Sequence, residues 1–115
     1  MTLEEQLFNA LTVLVAGKVY PAVAKQGEAA PYIIYQSVVS TTSNTLGGAS
    51  NLQNTRIQVS GYANNYAAAA ALGKNITAAM ANASFTNIKL TDQMLYEPDV
   101  KLHRVMLDFS IWSTL

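Results

Sequence analysis

The residue types in this 115-residue chain that could do chemistry are His103, Asp108 and a serine, together with the acids Asp92, Glu97 and Asp99. A histidine, an aspartate and a serine are the parts of a nucleophilic triad, in which the imidazole takes the hydroxyl proton and the carboxylate orients the ring. The spacing speaks against it. His103 and Asp108 lie in one strand-like run, roughly 16 Å apart at ~3.3 Å per residue, and their odd and even positions point to opposite faces. No G-x-S-x-G elbow is present either. The acids would have to converge to hold a hard cation. Glu97 and Asp99 read instead as the polar dressing of a turn at Pro98.

His103 is the single histidine and there are no cysteines. That rules out a histidine metal cluster, a thiolate site, a cysteine nucleophile and a disulfide. Gly47-Gly48 is followed by no lysine and matches neither phosphate-loop nor dinucleotide spacing, so it reads as a hairpin tip. The chain is therefore expected to be no enzyme and to carry no cofactor or metal. His103 becomes a partly exposed residue at the start of a strand.

What must position these residues is the segment from Tyr96 to Trp112. A turn (Glu97, Pro98, Asp99) leads into a long strand. Its odd positions, His103, Val105, Leu107, Phe109 and Ile111, form a nearly apolar face. Its even positions, Leu102, Arg104, Met106, Asp108, Ser110 and Trp112, form a mixed one. Arg104 and Asp108 share a face but sit ~13 Å apart along the strand, so each needs a cross-strand or intersubunit partner.

Thr2 and Glu5 make a capping box. Leu3, Leu7, Leu11, Leu14 and Val15 follow at helical spacing, which predicts a helix from Thr2 to Ala16 that stops at Gly17. Lys18 to Pro31 reads as an irregular connection anchored by Val19 and Tyr20. Tyr32 to Ser43 favours a strand. Thr42 to Asn51 is polar, small and glycine-containing, and reads as a long, mobile hairpin connection.

A second strand alternates cleanly, with Thr55, Ile57, Val59 and Gly61 on one side and Arg56, Gln58, Ser60 and Tyr62 on the other. Asn64 or Asn65 caps a helix from Tyr66 to Ala83, half of it alanine, burying Leu72, Ile76, Met80 and Ala83. Phe85 to Leu95 is a third strand, bent or ended near Thr91-Asp92. The expected fold is α+β, ordered α-β-β-α-β-β, with a mainly antiparallel four-stranded sheet and two helices on one face. One domain, 1–115, suffices for this length.

Seven basic residues balance seven acidic ones, and charged residues make up 12% of the chain. A neutral surface offers no footprint for nucleic acid. Low charge also weakens self-repulsion and favours association. No run is long and apolar enough to span a bilayer. Glu4 and Glu5 stand where a secretion signal would need basic residues, so the sequons at Asn75 and Asn82 are expected to be silent.

The mixed face carries Arg, Met and aromatic residues, which interface cores favour. The candidate subunit or partner interface is Arg56, Gln58, Tyr62, Leu102, Arg104, Met106, Asp108 and Trp112.

The same segments carry a resemblance. Val19-Tyr20-Pro21, then Ala30 to Gln36 (APYIIYQ), Arg56 to Ala63 (RIQVSGYA) and Leu95 to Trp112 (LYEP…LHRVMLDFSIW) resemble the small phage tail-completion, tail-terminator or head–tail joining proteins. The resemblance covers nearly the whole chain, in order. It implies a phage or prophage subunit assembled in the host cytoplasm. It implies a ring, usually hexameric, at the head-proximal end of the tail, with the tail-tube and head-connector proteins as partners. The ring would close through the mixed sheet face and the alanine-rich helix, with the polar loops ordering on the tube or connector. Gly61 departs from the larger residue many relatives carry, which either loosens its strand or admits a close neighbour. The alternatives are another neck or tail subunit, or a small ligand-binding α+β regulatory module, which would need a pocket with convergent polar groups.

Overall fold

The structure, a computed structural model, describes residues 3–23, 29–45, 48–83 and 85–114, with the backbone alone for 39–45, 48–53, 113 and 114. Helix α1 runs from Leu3 to Leu11 and tightens into a 3-10 turn at Thr12–Leu14. It is shorter than the apolar spacing predicts. The chain leaves it through two left-handed residues, Ala16 (φ 52°) and Gly17 (φ 86°), and the Gly17 N–H donates back to the Thr12 carbonyl at 2.9 Å. A residue without a Cβ meets no steric penalty at such a φ.

Five strands follow rather than four: β1 (Val19–Pro21), β2 (Tyr32–Thr45), β3 (Gly48–Ala63), β4 (Thr86–Glu97) and β5 (Leu102–Thr114), with helix α2 (Tyr66–Ala81) between β3 and β4. The sheet order is β1-β2-β3-β5-β4. Pairing is antiparallel except for β1, which lies parallel to β2 with Val19 opposite Ile33. The first part of the Lys18–Pro31 connection is therefore an edge strand, and its residues 24–28 lie outside those described. The crossover through α2 sets β5 between β3 and β4. A strand with a neighbour on each side and helices above it is the natural home of the most regular alternation in the sequence.

The expected long connection at Thr42–Asn51 is also corrected. Backbone pairing continues to Thr45↔Gly48, leaving only 46 and 47 outside the described residues. Polar, small residues read as loop, yet a ladder needs only backbone donors and acceptors. β3 alone has 16 residues, roughly 50 Å of strand at ~3.3 Å each. That accounts for the elongated 52 × 25 × 24 Å shape.

Both helices pack on one face. Leu7, Leu11, Leu72, Ile76 and Met80 meet Ile33, Ile57, Val59, Val105, Leu107, Phe109 and Ile111 in a single core cluster. Burial of such a side chain contributes about 1.5–3 kcal/mol. α2 starts where the Asn65 side chain accepts the Ala68 N–H at 2.7 Å.

Two glycines draw α2 onto the sheet reciprocally. A Cβ on Gly61 of β3 would meet Leu72 Cδ2 at 2.7 Å, and one on Gly73 of α2 would meet Val105 Cγ2 at 2.8 Å. Gly61 thus admits a close neighbour, Leu72 of the helix. The third predicted strand is interrupted next to Thr91-Asp92, as expected, but does not end there. A bulge between Lys89 and Thr91 turns Leu90 out, and pairing resumes to Glu97.

Candidate interaction surface

The face of the sheet away from the helices gathers all eight sequence candidates. Cross-strand register aligns Tyr62 with Arg104, Gln58 with Asp108 and Arg56 with Ser110, while Leu102 stands opposite Glu97 and Trp112 opposite Asn54. Met106 pairs with Ser60, between Arg104 and Asp108. Tyr62, Leu102, Arg104, Met106 and Asp108 are half-buried, and Trp112 retains 37% exposure.

Near the Pro98 turn the face is organised around Arg104. Its Nε and Nη2 donate to Ser60 Oγ at 3.1 and 3.0 Å, and its Nη1 donates to Glu97 Oε1 at 3.0 Å. The guanidinium also lies 5.7 Å from the centre of the Tyr62 ring, which in turn stacks on Tyr32 at 4.8 Å. Burial pushes the Tyr62 phenol up from its ordinary pKa of 10.0; the Arg104 charge opposes that shift and the Glu97 charge adds to it. Glu97 and Tyr32 were missing from the predicted surface. Glu97 looks like a turn residue, and Tyr32 is hidden by the blurred alternation at the start of β2.

Farther along, Arg56 Nη2 donates to Asp108 Oδ2 at 3.3 Å, and Thr91 Oγ1 donates to the same oxygen at 3.4 Å. Asn54 Nδ2 donates to Ser110 Oγ at 2.7 Å. Both charges expected to seek partners therefore find them across the sheet, in their own chain. Arg56 Nε and Asp108 Oδ1 are buried yet have no hydrogen-bond partner among the described residues. Such atoms are uncommon in folded proteins because each costs about 1–3 kcal/mol of desolvation.

His103 and Asp108 stand on opposite faces of the sheet. His103 belongs to the helix side, where its ring meets Tyr96 at 5.1 Å and Tyr66 at 6.2 Å. Asp108 is on the other face, as its position in β5 demands. Among the described residues no three His, Asp or Glu side chains gather as a metal site would require, and no helix is long and apolar enough to cross a membrane.

A groove that the sequence did not announce runs between α2 and the edge strand β4. It holds about 330 Å³ and is lined by Ala70, Gly73, Lys74, Thr77, Lys89, Asp92, Gln93, Met94, Val105 and Leu107. Its floor is apolar. Three of its polar groups are already committed: Lys89 Nζ lies 2.8 Å from Asp92 Oδ2, and Thr77 donates to the Gly73 carbonyl at 3.0 Å.

Comparison with known proteins completes the description. No curated protein matches the sequence. Among solved structures, a chain from "Virion of native gene transfer agent (GTA) particle" superposes with a TM-score of 0.61 at 17% identity, covering 98% of this chain and 95% of that one. At that identity the likeness speaks for the fold. The model of the family described as "Tail completion protein gp17" matches residues 8–114. With nearly the whole chain matched, the chain belongs to the tail completion protein gp17 family and is a structural protein of the phage tail, not an enzyme.

Proposed function

We propose that the protein completes the tail as a ring of copies at the head-proximal end of the tail tube, six by resemblance. There it ends tube polymerisation and offers a surface to the head connector. Its partners are further copies of itself, the tail-tube protein and the head-connector protein, and it assembles in the host cytoplasm. The open sheet face, with Arg56, Gln58, Tyr62, Leu102, Arg104, Met106, Asp108 and Trp112, is the contact surface.

The observation that carries this reading is the make-up of that face. It holds an exposed tryptophan beside two buried polar atoms, Arg56 Nε and Asp108 Oδ1, with no partner among the described residues. A partner protein would cover the tryptophan, while the two polar atoms stay internal to the face. The internal ion pairs of Arg104 and Arg56 fix the side chains beforehand, which lowers the ordering cost of association.

Purified protein mixed with tail tubes tests this by negative-stain microscopy. Rings at one tube end and arrested tube growth are expected. A protein that stays monomeric and leaves the tubes open and growing would overturn the reading.

A further inference from the structure

The helix layer is incomplete. α1 stands over the β2 side, where Glu4 and Phe8 border Tyr35. α2 follows beside it over β3 and β5. Beyond α2 the layer ends, and the groove lies over β4. The two flanks of the molecule differ in kind. One is a convex helix with a half-exposed aromatic residue and acids; the other is a concave, apolar-floored groove with lysines on its rim.

We infer that this groove receives α1 of the next copy, so that neighbouring subunits join flank to flank. Phe8, 38% exposed, and Glu4 stand one turn apart on the same ridge of α1. Phe8 meets Met94 and Ala70 of the groove, above the buried Val105 and Leu107, and Glu4 meets Lys74.

Three observations support that occupant. Lys74 and Glu4 are both exposed and form no ion pair among the described residues, so each can meet the other's charge across the contact. Gly73 brings α2 close against Val105 of β5, and no side chain stands at that point of the groove wall. The outer strand β4 is bulged at Leu90 and carries the Lys89–Asp92 pair, features that discourage plain strand-to-strand extension and leave a side-chain contact as the way to join copies.

Because the two patches differ, the contact is head-to-tail and propagates around a ring. It leaves the open sheet face free for other contacts. The inference rests on the self-assembly proposed above.

Charge exchange tests it. Assembly of wild type, Glu4→Lys, Lys74→Glu and the double variant is followed by light-scattering mass and by ring counts on tail tubes, with melting temperatures as the control for folding. Each single variant creates a like-charge pair and should weaken assembly several-fold; the double variant should restore it. Phe8→Ala should weaken it about tenfold, as loss of an aromatic anchor does.

Wild-type assembly that both single variants match would overturn this contact while leaving the ring reading intact. So would variants that self-assemble normally but fail on tubes, because the groove would then belong to the tube protein. A wild type that never assembles, even with tubes, would overturn both.

Discussion

Strand β5 carries two surfaces a residue apart. On the helix side, Val105, Leu107, Phe109 and Ile111 are at most 4% exposed. On the open side, Arg104, Met106, Asp108 and Ser110 are half-buried; Arg104, Asp108 and Ser110 are held by polar bonds across the sheet, and Met106 accepts from Arg104 within its own strand. The first surface is closed by the chain's own helices. The second has internal order but an exposed tryptophan and two unpaired polar atoms. Because strand side chains alternate, one strand can be tuned for stability on one face and for contact on the other without conflict. Substitutions on the two faces should therefore fail in different ways.

The contrast is broken most severely at Phe109. Phe109→Ala empties the centre of the core and should cost about 3–5 kcal/mol, read as a lower urea midpoint. Gly73→Val should cost about 1–3 kcal/mol, because the added carbons strike the stiff Val105 side chain and the helix must lift. A melting temperature equal to wild type would show that α2 has room to shift.

Asp108→Ala lies on the other side of the comparison. The Arg56–Asp108 pair is partly exposed, so its loss should cost only about 1 kcal/mol or less in stability. Tube capping should suffer more than folding does.

The smallest effect concerns alkali. Burial raises the phenols of Tyr35 and Tyr62 above 10.0. The folded state thus holds these protons more tightly than the unfolded chain. Their stabilising share is full below pH 10 and lost as pH climbs through the raised values. Thermal melts across that range should show falling stability, with a shallower fall for Tyr62→Phe.

How much of this could be read in advance varied with the physics. Leu72, Ile76 and Met80 announce their burial by spacing, and β5 by parity. Gly73 and Ala69 are buried too, but small residues give no apolar period, and their burial depends on how closely helix and sheet approach. β1 escaped because a three-residue parallel edge strand has neither a turn signal nor room to alternate. The extended ladder of β2 and β3 escaped because backbone pairing needs no apolar side chains.

At the surface, parity alone put all eight candidate residues on one face. The partners of Arg104 and Asp108 could not be read, since strand order decides that Ser60, Arg56, Glu97 and Thr91 are their neighbours. The groove beside β4 was invisible for the same reason.

Trp112→Ala tests the division between the faces most directly. The indole is over a third exposed, so melting should change by only a few degrees, whereas tube-end occupancy in micrographs should fall roughly thirtyfold, the loss expected of a tryptophan at the heart of an interface. Unchanged occupancy with a well-folded variant would contradict the assignment of the open face to contact.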